Sequence, residues 1–148
     1  MTLKGTIATN HIPVNKYTLS VATQPEFIFT TVSGVEQETA GTVLPDNTRA
    51  SGGEQQPFDL TCEIPLHHSA EVVALEAWFK EGKDPVTATY KKVGTMIYKD
   101  ISGAVKKSLQ LNGMWITKLK YPDTDMSNEE GEMAVLEVTF SVDDYKII

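Results

Sequence analysis

Carboxylates crowd one stretch of the chain, "PDTDMSNEEGE", which holds Asp123, Asp125, Glu129, Glu130 and Glu132. Oxygen ligands at alternating positions are the means by which a loop holds a hard cation such as calcium. The spacing fails that test. A calcium loop begun at Asp123 puts Asn128 at the turn glycine and Ala134 at the bidentate glutamate, and one begun at Asp125 puts Glu130 and Leu136 there. The run therefore reads as a solvated or protein-contact loop, the usual fate of clustered like charges.

Cys62, His67, His68 and His11 are the other residues with chemistry to offer. A structural zinc site needs four ligands in close pairs, and neither a second cysteine nor a spaced histidine pair is present. Cys62 alternates with Phe58, Leu60 and Ile64, so it is expected on a core face, where a thiol behaves as a small hydrophobe. His67 and His68 are expected in a turn leading into a helix. There is no G-x-S-x-G elbow and no phosphate-cradling glycine loop, and Gly52-Gly53 precedes no recognisable helix. The expectation is a protein that is not an enzyme and has no catalytic residue, metal or cofactor.

The elements that would position these residues are mainly strands. Tyr17–Ala22 and Phe27–Val32 are rich in the Thr, Val and Phe that suit a pleated, half-buried surface. Pro57–Leu66 alternates and ends at Pro65. One helix stands out at Ala70–Glu81: Ser69 is placed as its N-cap, Val72, Leu75, Trp78 and Phe79 form its apolar stripe, and Gly82 stops it. Further strands are expected at Val86–Tyr90, Gly94–Tyr98, Val105–Leu111, Met114–Tyr121 and Glu132–Val142. Hairpin turns are expected at Ser102-Gly103 and Asn112-Gly113, the latter because a type I′ turn needs positive φ at both central residues. In the last strand Ala134, Leu136, Val138, Phe140 and Val142 face the core. Trp115, Leu119 and Tyr121 make a similar stripe. Between Glu38 and Gln56 apolar residues nearly vanish, which predicts an unusually long loop.

The 148 residues suit a single domain, 1–148, and the formal charge of -7 disfavours a nucleic-acid or anionic-membrane binder. One cysteine excludes an intrachain disulfide and points to folding in a reducing compartment. No signal-peptide order and no apolar run of about 18 residues is found, so a soluble protein without a membrane segment is expected.

From Phe27 to Ile148 the order of segments resembles the tube protein of phage tails and of the related Hcp-like type VI secretion tube. The strand "FDLTCEIPL", the helix "SAEVVALEAWFKEG", a meander, the strand "MWITKLKYP", the acidic loop and the strand "MAVLEVTFSVDDY" follow one another as in that family. Upstream, "FTTVSGVEQET" is similar to the element before the family's long loop. The resemblance implies a mainly β (α+β) fold: an antiparallel sandwich or half-barrel with one flanking helix and a long inter-ring loop, assembled into a hexameric ring. It implies a structural virion protein of the tail, assembled in the host cytoplasm, whose stacked rings form the tube that delivers the phage genome. A type VI-like tube carrying effectors is the alternative, and a small metal-binding or enzymatic β domain the more distant one. Implied partners are copies of itself, with sheath, baseplate and tail-terminator proteins; tape measure protein and genomic DNA pass through without specific binding.

On this resemblance the inter-ring loop contains Thr39, Gly41, Asp46, Asn47, Arg49, Gly52 and Glu54. Asp123, Asp125, Glu129, Glu130 and Glu132 become a rim loop at a ring contact or near the channel. Glu76, Lys80 and Glu81 become the outer helix face, where a sheath would touch. Carboxylates around a channel would repel phosphates within a Debye length of roughly 8 Å at physiological salt.

Overall fold

The computed structural model describes residues 11–84, 86, 89–124, 126–127 and 131–148. Asp125, Glu129 and Glu130 of the acidic run lie outside the described residues, as do Thr87 and Ala88 of the strand expected at Val86–Tyr90. Nine strands and one helix form among the described residues: β1 Tyr17–Val21, β2 Thr31–Ser33, β3 Thr39–Val43, β4 Arg49–Gln55, β5 Phe58–Pro65, α1 Ser69–Glu81, β6 Lys92–Lys99, β7 Val105–Lys120, β8 Val135–Val142 and β9 Asp144–Ile147.

The strands make two antiparallel layers that share β7. Its first half pairs with β6 and β9, and β6 in turn pairs with β1. Its second half pairs with β8, which pairs with β5, which pairs with β2. Alternation decides which side chains turn inward. On β5, Phe58, Leu60, Cys62 and Ile64 are buried, and on β8 Leu136, Val138, Phe140 and Val142 are buried, as their period of two predicts. The inward faces of both layers and the helix stripe Val72, Leu75 and Trp78 meet in one apolar core, with Phe79 packed at its margin. Trp78 sits 5.4 Å from Phe140, ring centre to ring centre, and its indole N–H donates to the Tyr90 carbonyl at 2.7 Å. An aromatic this large is best buried where its one donor is satisfied.

Several local expectations are corrected. Asn112-Gly113 is not a hairpin turn, because β7 runs through it as one strand of 16 residues. Gly113 does take positive φ, 65°, but it uses it to pass the strand from one layer to the other. A Cβ there would run into the Asp143 carboxylate. The expected turn at Ser102-Gly103 does form between β6 and β7, with Gly103 at φ 89°.

Trp115, Leu119 and Tyr121 are not the inward stripe of β7: Met114 and Ile116 are buried instead, and the register shift after Ile116 returns only Leu119 to the core margin. Tyr121 is half-exposed. Phe27–Val32 yields only the short β2, with Phe27 joined to Leu19 by a single bridge. Thr89 and Tyr90 lie in a turn and a bend rather than a strand. His68, not Ser69, occupies the N-cap position, and no side chain caps the helix. Glu71 in the first turn accepts from the Ile28 backbone N–H at 3.2 Å and lies 3.1 Å from His68 Nδ1, a carboxylate favourably placed at the positive end of the helix dipole.

Candidate functional site

The stretch expected to be a loop, Glu38 to Gln56, is mostly a two-stranded ribbon. Among the described residues β3 and β4 pair only with each other, and Gln56 N donates to the Glu38 carbonyl at 2.8 Å to close its base. Polar composition hid this because alternation is visible only when one face is buried, and here neither is. Only Ala40 and Ala50 are even half-buried along the two strands. The tip is ordered locally: Asp46 Oδ1 accepts from the Thr48 N–H at 3.1 Å and its hydroxyl at 2.6 Å, while Asn47 adopts φ 65°. Those hydrogen bonds hold the Asp46 carboxyl below the usual carboxylate range. Between the Thr39–Gln55 and Gly41–Ser51 pairs, β4 carries Gly52, Gly53 and Glu54 against the single Ala40, and the Arg49 guanidinium lies over Gly41. Thr39, Gly41, Asp46, Asn47, Arg49, Gly52 and Glu54 therefore share one exposed arm.

An isolated two-stranded hairpin is marginal in water, since it buries too little to offset its ordering. The arm's polar strands end in Val43, Leu44 and Pro45, with Val43 67% and Leu44 40% exposed.

At the other end of the β5–β8 ladder Asp123 and Glu132 border a groove of about 550 Å³. Its walls come from the end of β7, the start of β8 and the loop between them. Asp123 and Glu132 line it together with Glu63 and Glu137, which stand directly opposite one another across the ladder. Like charges so placed repel, and Lys120, opposite Glu137 on the far side, is the compensating cation. Tyr121 fixes the upper edge by donating its hydroxyl to Glu76 at 2.9 Å, and that bond raises its pKa. Sequence reasoning missed Glu63, Lys120 and Glu137, because only strand register brings them beside the acidic loop.

The helix face differs from expectation in detail. Glu76 is half-buried and engaged by Tyr121, and Glu81 pairs with Lys92 at 3.4 Å. Ala70, Val73, Ala77 and Lys80 are the outward positions. Cys62 is fully buried, and burial pushes its thiol well above the ordinary range, so it is no nucleophile. His67 and His68 stack edge to face in the turn before the helix. Among the described residues no group of three or more His, Cys, Asp or Glu is placed to hold a metal ion.

Similarity to solved structures bears on the fold. The chain superposes on a chain from the sheath–tube complex of the PVC extracellular contractile injection system in its extended state, with TM-score 0.74 and 20% identity over 100% of this chain and 99% of that one. A chain from the virion of a native gene transfer agent particle gives TM-score 0.60 and 10% identity over 93% and 99%. Hcp1 from Flavobacterium johnsoniae gives TM-score 0.54 and 16% identity over 88% and 93%. No protein-family model and no curated protein matches the sequence. The fold is the tube-like fold of Hcp and phage-tail tube proteins, mostly antiparallel β with one helix, and its sheets do not close into a barrel within one chain.

Proposed function

We propose that this chain is a structural, non-catalytic subunit of a tail-type tube, built as hexameric rings of identical copies stacked head to tail. The observation that carries the reading is the arm: an ordered ribbon with almost no burial of its own is stabilised when it lies against another molecule. Similarity to a chain of a sheath–tube complex along its whole length supports a second copy as that molecule. Among the described residues β2 and β9 end their sheets, and β1 does so apart from the Leu19–Phe27 bridge, which supports it as well. Pairing such margins between neighbours satisfies their backbone groups and closes a ring around a channel.

The particle, rather than a membrane, is the proposed location, with assembly in the producing cell's cytoplasm. Sheath, baseplate and terminator proteins are the proposed partners, and tape measure protein and cargo the passengers. Where carboxylates face the channel they keep a polyanion from adhering.

Genome delivery is the reading carried from the resemblance to phage tails. A second cargo, protein effectors, is the alternative reading, since the fold is shared with a chain of an injection-system particle as well as with one of a gene transfer agent. Electron microscopy of the concentrated protein tests the shared core of both: hollow filaments are expected, and single particles that never stack at any concentration would reject it. Nucleic-acid sequencing against proteomics of purified particles then separates the cargoes.

A further inference from the structure

We propose that Tyr145 of β9 is a positioning residue for the arm: its backbone N–H holds Gln37 on the stalk that leaves the sheet, its ring holds Phe58 on the stalk that returns, and the two contacts aim the arm before copies meet. The link to assembly rests on the tube reading above; the hold itself belongs to the single chain.

The root of the arm is where its direction is set. β2 ends at Ser33 and β3 begins at Thr39, so residues 34–38 form the outgoing stalk, while Gln56 and Pro57 lead from β4 back into β5 at Phe58. The outgoing stalk starts close against the body: Gly34 takes φ 95° where a Cβ would strike the Asp59 carbonyl, and Val35 packs on the core. Further out, the Glu38–Gln56 hydrogen bond joins the stalks to each other. That bond closes the ribbon without directing it.

Tyr145 supplies the attachments that do. Gln37 Oε1 accepts from the Tyr145 N–H at 3.4 Å, and the Tyr145 ring meets the Phe58 ring edge to face, 5.9 Å between centres. One attachment would leave a hairpin free to swing about it, whereas one on each stalk does not. Gln37 Nε2 is buried and meets no acceptor among the described residues. A donor buried in that way is costly, so the amide keeps its place because the Tyr145 bond and the surrounding packing hold it. Between the arm's base and β9 lies a cleft of about 480 Å³, with Thr39 and Gln55 contributed by the arm and Asn112 and Ile147 by β7 and β9. Tyr145 bridges a gap that packing leaves open.

The bridge is itself anchored. Asp143 N donates to the Asn112 carbonyl at 2.9 Å, Asn112 Nδ2 donates to Asp144 Oδ1 at 2.9 Å, and Tyr145 pairs with Leu111. β9 belongs to the layer of β6 and β1, whereas the stalks join β2 and β5 of the other layer. The arm therefore takes its bearing from both layers, beside the point where β7 crosses between them. Its outgoing strand runs about 20 Å from Glu38 to Leu44 at about 3.4 Å per residue, so a small change of angle at the root is magnified at the tip. An arm aimed in advance keeps a larger share of copies competent to dock, and apparent association tightens by that share.

Spin labels on the full-length chain, below its stacking concentration, read the arm's direction. Leu44→Cys and Ala77→Cys, both at exposed sites, are combined in one chain and labelled, and the buried Cys62 takes no label. Pulsed dipolar measurements are expected to give one narrow distance distribution in this chain and a clearly broader one when Tyr145→Ala or Gln37→Ala is added. Tyr145→Phe, which keeps both ring and backbone, is expected to stay narrow. Without labels, Tyr145→Ala and Gln37→Ala are expected to raise the concentration needed for stacking about threefold or more, while circular dichroism stays that of the parent.

A starting distribution as broad as the variants', or variants as narrow as the start, overturns the hold whatever stacking does. Broadened variants that stack at the parent's concentration overturn its part in assembly and leave the tube reading standing. Parent protein that never stacks rejects the tube reading, and the distance distributions still decide the hold.

Discussion

Asp100 is the one buried charged side chain among the described residues, at 3% exposure. Its Oδ1 accepts from the Ser102 hydroxyl at 2.7 Å and the Ala104 N–H at 2.9 Å, closing the β6–β7 turn, and Lys106 Nζ lies 3.7 Å from Oδ2. The hydrogen bond from Ser102 leads the effects that lower its pKa. A carboxylate depressed on folding adds stability that is fully present above its unfolded pKa and is lost as pH falls through the folded one. Asp100→Asn is therefore expected to lower the thermal midpoint at neutral pH. The gap from the parent should close below about pH 4, and melts across pH 2.5 to 7 would show it. At Gly113 the constraint is steric. Gly113→Ala meets both the left-handed φ and the Asp143 carboxylate, so a loss of at least about 1–2 kcal/mol is expected in denaturant titrations.

Among the elements, β8 and the arm are opposites. Every second residue of β8 is buried, and Phe140 contacts both Trp78 and Phe29. Phe140→Ala should cost about 3–5 kcal/mol. Among the described residues the arm rests on almost nothing, so deleting Thr42–Gly53 should leave the protomer's thermal midpoint within a few degrees of the parent while abolishing stacking. Light scattering and differential scanning calorimetry on the same sample separate the two effects. Strands with one buried face were legible in the sequence, as β5, β8 and the stripe of α1 show. The arm and the continuous β7 were not. Asn-Gly gives the same local signal in a tight turn as in a strand that bends, and the partner strands decide between them.

At the scale of the whole molecule, the arm begins at the Phe58 end of the β5–β8 ladder, the groove lies at its Pro65 end, and the helix exposes Ala70, Val73, Ala77 and Lys80. If a sheath grips that helix, Lys80→Glu combined with Val73→Glu should weaken sheath attachment while filaments of the tube protein alone form normally. Co-sedimentation with sheath would read the first and electron microscopy the second. Glu76 and Glu81 are poorer sites for the same test, since Tyr121 and Lys92 already hold them.

Composition and periodicity alone determined a mainly β chain with one amphipathic helix, a buried thiol and an acidic run unsuited to calcium. These follow from local rules: alternation on a half-buried strand, the 3.6-residue repeat of a helix, and the fixed spacing a cation loop demands. Tertiary structure decided that β7 serves two layers, that the polar segment is a paired ribbon, and that Glu63, Glu137 and Lys120 join the acidic loop. Pairing register depends on residues distant in the chain, and one step of register carries a side chain to the other face of the sheet.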